Sequence, residues 1–191
     1  MTKYNALFMY AILLMISGFV LIGLVETTYK LLSETFFFTI ILSAAFASVT
    51  AFKCKQDQVP LNYHALHAIG LLLYGLSFLI LAQDFDKFYL YTIFYLLYYG
   101  LAELIFGIQM LLQKDKMLFR VIVIRLAIGF TIAITAVGLY ISLHKYIEMK
   151  NAIKVIGGLF ILSGVNLILF KTVLKSLYQK EQHLSLVDAF V

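Results

Sequence analysis

The sequence predicts an all-α polytopic membrane protein, with six transmembrane helices arranged as three parallel two-helix repeats. Hydrophobic residues make up 63% of the 191 residues and charged residues 13%, against roughly 45–50% and ~25% in soluble domains. Six apolar stretches each approach the ~20 residues that cross a ~30 Å hydrocarbon core. Similar glycine patterns return in alternate stretches. These three observations place nearly the whole chain inside a membrane.

The predicted spans follow one another with short, polar connections. Short connections make consecutive helices run antiparallel as hairpins. We expect a membrane domain over residues 1–175, with hairpin repeats at about 5–52, 62–112 and 118–173. The individual spans are predicted at about 5–25, 32–52, 62–82, 88–112, 118–142 and 152–173.

The first apolar stretch is expected to stay in the protein as a span. Lys3 followed by an apolar run is also typical of a signal peptide, whose apolar region has ~7–15 residues. The run over 6–25 is longer, and it ends in Leu24-Val25-Glu26 without a pattern of small residues for cleavage. We therefore interpret it as the first transmembrane helix.

The distribution of Lys and Arg predicts a cytoplasmic (inner) membrane protein with both termini in the cytoplasm. With the N-terminus inside, the inner segments hold nine basic residues and the outer loops five. Basic residues favour the cytoplasmic side of a membrane. The inner nine are Lys3, Lys53, Lys55, Lys114, Lys116, Arg120, Lys171, Lys175 and Lys180.

The odd-numbered spans share a glycine followed by an apolar run in their outer half. The patterns are Gly18-Phe-Val-Leu-Ile, Gly75-Leu-Ser-Phe-Leu and Gly138-Leu-Tyr-Ile-Ser, separated by 57 and 63 residues. A unit of two helices re-enters the membrane in the same orientation each time. The three units are therefore predicted to be parallel repeats about an axis near the membrane normal.

Two even-numbered spans share a small residue, then a polar one, then Leu-Ile. The motif Gly100-Leu-Ala-Glu103-Leu-Ile matches Ser163-Gly-Val-Asn166-Leu-Ile. The second motif lies within a longer run over 157–168, Gly-Gly-Leu-Phe-Ile-Leu-Ser-Gly-Val-Asn-Leu-Ile. With these motifs the chain, up to about Lys175, resembles the HdeD-like membrane proteins, bacterial proteins built on a short repeated membrane domain. The resemblance implies a role in acid-stress tolerance without catalysis, and it transfers no site residues.

Glu103 and Arg125 are ionisable residues inside predicted spans, where such side chains are costly and usually paired or functional. They lie on the two arms of one hairpin, about 15 Å and 12 Å from its turn at ~1.5 Å per residue. The similar depths predict an ion pair, with Asn166 as a hydrogen-bonding third partner. Two interpretations remain: a structural lock that fixes the hairpin register, or a proton or ion site in which Glu103 exchanges a proton.

His64 and His67 share one helix face near the inner end of the third span. They are expected to anchor that helix at the interface, with pH sensing as the alternative. The tyrosines of the fourth span are expected to pack against neighbouring helices, with a lipid or quinone groove as the alternative. The five are Tyr89, Tyr91, Tyr95, Tyr98 and Tyr99.

The remaining sequence holds no enzyme signature. P-loop, HExxH and Gly-x-Ser-x-Gly patterns are missing, and Cys54 is the only cysteine. We expect no catalysis, no metal and no other cofactor. The formal net charge of +5 is spread over short loops, which predicts membrane lipids and not nucleic acid as partners, with homo-oligomers left open. Residues 176–191 are predicted to be a cytoplasmic tail, either an interfacial helix or a frayed end.

Overall fold

Six α-helices make up the structure, a computed structural model that describes residues 3–53, 63–82, 84–112, 119–142 and 147–188. Side chains are described for the same ranges apart from residue 3 and residues 172–188. The helices are α1 (Lys3–Leu24), α2 (Tyr29–Lys53), α3 (Tyr63–Leu81), α4 (Phe85–Leu112), α5 (Phe119–Ile141) and α6 (Met149–Asp188).

All six helices are long and apolar enough to cross a membrane, so the predicted fold class is confirmed. Helices α2, α4 and α6 begin three residues before their predicted starts, at Tyr29, Phe85 and Met149. These first turns contain polar residues that a search for apolarity leaves out, although they continue the backbone hydrogen bonding of the helix. Prediction from apolarity therefore recovered the spans but shortened their polar ends.

Helix α6 is longer than a membrane span. Its apolar part ends at Lys171, and the helix then continues without a break to Asp188. No glycine or proline occurs after Gly164, so nothing in the sequence interrupts the helix. The part of the predicted tail at 176–188 is thus an extension of α6, while the side chains that would place it at a membrane interface lie outside the described residues.

The helices form a ring in chain order, which is closed by α6. Each helix packs against its neighbours in the chain, and α6 packs against both α5 and α1 and also contacts α4. Because the helices alternate in direction, the starts of α1, α3 and α5 lie with the span ends of α2, α4 and α6 on one side, hereafter the N-terminal side. The cytoplasmic placement of that side and the parallel repeat stay predictions.

Aromatic rings fill the centre of the bundle in the half away from the N-terminal side. Phe36 of α2 packs edge-on against Phe88 of α4 and Phe160 of α6, with ring centroids 5.5 Å and 5.3 Å apart. Phe78 of α3 lies 5.9 Å from Phe36. Four helices therefore meet around one buried ring, an arrangement that aromatic packing stabilises beyond simple burial.

Glycines set the closest helix approaches. A Cβ added at Gly18 of α1 would lie 2.3 Å from the Gly157 oxygen of α6, and one at Gly157 would lie 2.7 Å from the Gly18 oxygen. Between α4 and α5, a Cβ at Gly100 would lie 2.9 Å from the Gly129 oxygen. Small residues let membrane helices approach at backbone distance, where van der Waals packing is strongest.

An exposed ion pair joins α6 to the connection between α1 and α2. Lys150 Nζ donates to Glu26 at 2.6 Å, and Lys154 Nζ lies 3.4 Å from the other carboxylate oxygen. The hydrogen bond from Lys150 lowers the pKa of Glu26 below its usual value. Exposed pairs of this kind add little to stability, so the pair mainly orients the start of α6.

We predict that Gly157→Ala destabilises the protein, because its methyl group would overlap the α1 backbone. Overpacking of this kind costs about 1–3 kcal/mol. Gly158→Ala is the matched control, since a Cβ at the next residue meets nothing within 4 Å. Equilibrium unfolding in detergent micelles measures both variants. Equal stability of Gly157→Ala and Gly158→Ala would contradict the close approach of α1 and α6.

Candidate functional site

Glu103 of α4 and Arg125 of α5 lie in direct contact inside the bundle. Arg125 Nη2 donates to Glu103 Oε2 at 2.6 Å, and both side chains are almost fully buried, with 1% and 3% exposure. The contact depends on the close approach of the two helices, since a Cβ at Gly129 would lie 2.8 Å from the Glu103 Cβ. The structure therefore brings the two predicted residues together, while their role stays a prediction.

Tyr63, the first residue of α3, joins the pair to a third helix. Its hydroxyl donates to Glu103 Oε1 and accepts a hydrogen bond from Arg125 Nη2 at 2.8 Å. One hydroxyl group thus contacts both charges. Sequence reasoning missed this residue because a tyrosine at the start of a span is typical of the membrane interface, and nothing in the sequence shows that this one points inward.

Asn166 of α6 supplies the fourth side chain. Its Oδ1 accepts a hydrogen bond from Arg125 Nε at 3.2 Å, and the residue has no exposed surface. The predicted third partner therefore contacts Arg125, and α3, α4, α5 and α6 all converge on the ion pair. Buried charges are tolerated when hydrogen bonds satisfy their remaining atoms in this way.

The guanidinium of Arg125 also lies over aromatic rings. Its Cζ is 4.2 Å from the ring centroid of Phe170 of α6 and 5.1 Å from that of Phe106 of α4. Aromatic faces attract cations, most strongly where water is excluded. The rings compensate part of the charge and cover it towards the N-terminal side.

His67 of α3 extends the group to α1. Its Nε2 lies 3.5 Å from Glu103 Oε1, and its Nδ1 lies 3.3 Å from the hydroxyl oxygen of Tyr10. The side chain is buried, with 3% exposure. We name Tyr63, His67, Glu103, Arg125 and Asn166 the charged cluster. When Tyr10 of α1 is included as a neighbour, every helix except α2 contributes a side chain to this group.

The two histidines expected to anchor α3 at the membrane interface are buried in the bundle. His67 lies in the charged cluster, and His64 is also buried, with its ring 5.4 Å from that of Phe170. The spacing of three residues correctly placed both on one helix face. It could not show that this face is turned towards the bundle interior, because that depends on how α3 packs against α6 and α4.

The deeper tyrosines of α4 bond to neighbouring helices. The Tyr99 hydroxyl donates to the Ser163 carbonyl of α6 at 3.1 Å, and its ring meets His67 edge-on. The Tyr98 hydroxyl donates to the Leu66 carbonyl of α3 at 2.8 Å. Both tyrosines therefore pack against neighbouring helices, and the Tyr98 side chain is partly exposed on the outside of the bundle.

The cluster can hold or exchange a proton, but its composition does not suit a metal ion. Within the part of the chain that the structure describes, no three His, Cys, Asp or Glu side chains form a group that could bind one. Glu103 and Arg125 together carry no net charge when both are ionised. A further proton on His67 or Glu103 would leave one uncompensated positive charge in an apolar interior, which is energetically costly.

Comparisons with protein-family models, with curated proteins and with solved structures gave no match for this chain.

Removing either charge of the pair is predicted to destabilise the fold strongly. Glu103→Gln and Arg125→Gln should each cost about 3–5 kcal/mol, because each leaves the opposite charge buried without its partner. The exchange Glu103→Arg with Arg125→Glu should regain part of that loss, since the Tyr63 hydroxyl can donate or accept. Folded protein recovered from membranes and unfolding in micelles are the measurements. An exchange variant no better than either single variant would count against a direct pair.

Tyr63→Phe is predicted to cost about 1–3 kcal/mol, because it leaves a buried carboxylate oxygen of Glu103 without its donor. Tyr98→Phe is the matched control. It removes a tyrosine hydroxyl on the same side of the bundle whose acceptor is a backbone carbonyl of Leu66, away from the charges. Unfolding free energies of the two variants in the same detergent test this. A loss for Tyr98→Phe as large as that for Tyr63→Phe would contradict the bridging role.

Proposed function

We propose that this integral membrane protein contributes to acid tolerance without catalysing a reaction, and that the charged cluster is its proton-responsive element. The observation that carries the proposal is that Glu103, buried inside the bundle, contacts both Arg125 and His67. The resemblance of its glycine motifs to those of HdeD-like proteins supports the same role. Membrane insertion itself follows from the six apolar helices.

The proton response follows from charge balance. At neutral pH the ionised Glu103–Arg125 pair with a neutral His67 has no net charge. When the proton concentration rises, proton uptake by His67 or Glu103 adds a positive charge beside Arg125. An uncompensated charge in an apolar interior is unfavourable, so uptake must be accompanied by a rearrangement of the helices that hold the cluster. Acid therefore shifts the bundle between two packings.

The packing around the cluster favours a sealed bundle over a conducting one. In the half of the bundle away from the cluster, Ser17 bonds to Thr39, and Tyr74 bonds to Thr92. Both threonines then donate to backbone carbonyls of their own helices. These hydroxyl groups therefore end on backbone acceptors inside the bundle, which supports a sealed half on that side.

A second candidate is a small transporter or channel for protons, ions or a solute. The contacts from Tyr10 through His67 to Glu103 favour it, since a row of groups that exchange protons is typical of proton relays in membranes. In this interpretation Glu103 exchanges a proton and Arg125 responds to it. The two candidates differ in whether protons cross the membrane.

We predict that His67→Gln abolishes acid protection while the protein stays folded. Glutamine keeps a hydrogen-bonding side chain near Tyr10 and Glu103 but cannot take up a proton. Survival after an acid challenge is measured in a host that lacks the gene and is complemented at matched membrane levels. Wild type and Thr131→Val should rescue, because Thr131 is exposed and bonds only within its own helix. Full rescue by His67→Gln would refute His67 as the group that takes up the proton.

Proton flux into liposomes distinguishes the second candidate. The sealed bundle predicts the same flux with and without the reconstituted wild-type protein. Flux that depends on the protein and disappears in Glu103→Gln that is reconstituted as folded protein, with Thr131→Val unchanged, would establish transport and reverse the order of the two proposals.

A further inference from the structure

A groove opens on the outside of the bundle between α3 and α4. It has a volume of about 250 Å³ and lies between Tyr63 and Leu66 of α3 and residues 98–106 of α4. Leu101 and Ile105 line it and are about half exposed, so the opening faces the membrane lipids. We call this space the α3–α4 groove. A second depression of about 280 Å³ continues along the same seam beyond Tyr98.

The Tyr98 side chain crosses the seam between α3 and α4 at one point and divides it into two depressions. The Tyr98 ring lies against Gly70, where an added Cβ would be 2.3 Å from the ring, and its hydroxyl bonds to the Leu66 carbonyl. This crossing ties α3 to α4 between the two depressions. The groove is therefore part of the helix packing, with a tyrosine as its end wall.

The lining of the α3–α4 groove offers contacts for hydrocarbon only. The hydroxyl of Tyr63 is bonded to Glu103 and Arg125, and that of Tyr98 is bonded to a carbonyl. The other lining side chains are aliphatic or aromatic. A quinone ring or a carboxylate would find no donor here, whereas an acyl chain needs none. The volume is also below the ~300 Å³ at which pockets for compact ligands begin.

Positive charge borders the groove on the N-terminal side. Lys53 is the last residue of α2, and Arg120 lies in the first turn of α5; both side chains are exposed. Helix α2 packs against α3, and α5 packs against α4. The two cations therefore lie on either side of the α3–α4 pair, on the N-terminal side of the bundle. Basic residues in such positions attract anionic headgroups.

We propose that the α3–α4 groove binds one anionic phospholipid, with an acyl chain in the groove and its phosphate on the N-terminal side, where Lys53 and Arg120 flank the α3–α4 pair. The Phe106 ring at the inner wall of the groove lies between a bound lipid and the charged cluster. Phe106 presents one face to the groove and also lies 5.1 Å from the Arg125 guanidinium. A bound chain therefore packs against a ring that covers the buried charge.

Native mass spectrometry of the delipidated protein, incubated with equal amounts of phosphatidylglycerol and phosphatidylcholine, tests the proposal. Wild type is expected to retain one phosphatidylglycerol. Ala102→Phe fills the groove and should reduce retention roughly tenfold, the equivalent of about 1.4 kcal/mol. Ala127→Phe is the matched control, because it adds the same ring to an exposed position of α5. Equal retention by the two variants, or equal retention of both lipids by wild type, would overturn the proposal.

The headgroup contact has its own test. Lys53→Gln with Arg120→Gln should lower the preference for phosphatidylglycerol by roughly fivefold for each basic side chain, while the number of retained lipids stays the same. An unchanged preference would show that the two cations do not bind the headgroup.

A fluorescence measurement in vesicles covers the case in which Ala102→Phe does not fold. The chain has no tryptophan. Leu101→Trp in the groove and Ile124→Trp on the exposed face of α5 therefore each introduce the single tryptophan whose fluorescence is measured. In vesicles of brominated phosphatidylcholine both are quenched. Added unbrominated phosphatidylglycerol should restore Leu101→Trp fluorescence at a lower mole fraction than Ile124→Trp. Identical recovery at both positions would mean that the groove holds only bulk lipid.

Discussion

The contact between Glu103 and Arg125 is the interaction on which the arrangement of this bundle depends. Two charges inside an apolar bundle are tolerable only when each offsets the other and hydrogen bonds satisfy their remaining atoms. Tyr63 and Asn166 supply hydrogen bonds to the pair from α3 and α6, and His67 Nε2 lies 3.5 Å from Glu103 Oε1. Each of these helices is therefore constrained in both depth and rotation, because a shift of one turn would leave a charge unpaired.

The glycines make this polar centre compatible with a tightly packed bundle. Gly100 and Gly129 bring α4 and α5 to backbone contact beside the pair, and Gly18 and Gly157 do the same where α6 closes the ring on α1. In a membrane the hydrophobic effect does not drive helices together, so packing and hydrogen bonds must hold them. The bundle combines these two forces, with polar contacts near the N-terminal side and aromatic packing around Phe36 in the other half.

The seam between α3 and α4, which opens as a groove on the outside of the bundle, lies beside the charged cluster. Tyr63 and Phe106 line the α3–α4 groove and lie between it and the buried guanidinium of Arg125. Movement of a proton at Glu103 and occupancy of the groove would thus act on the same two rings. The proposed lipid binding and the proposed proton uptake would therefore affect one another.

The sequence by itself determined the class of the protein, the number of helices and the chemistry of the central pair. Apolar length is a local property, and each span can be recognised without knowledge of its neighbours. The matching depths of Glu103 and Arg125 are also local, since short connections fix where each arm of a hairpin begins. The polar first turns of α2, α4 and α6 were missed because apolarity and helix formation are different properties.

Only the tertiary structure decided which faces point inward. Leucine and phenylalanine pack equally well against lipid and against protein. The hydropathy of α3 therefore does not show which of its faces is turned inward, and so it does not predict that Tyr63 and His67 are buried. Their contacts with Glu103, Tyr10 and Phe170 join residues 36 to 107 positions apart in the chain. Such contacts depend on the closure of the ring by α6 and on the packing of α3 against its neighbours, which no local pattern specifies.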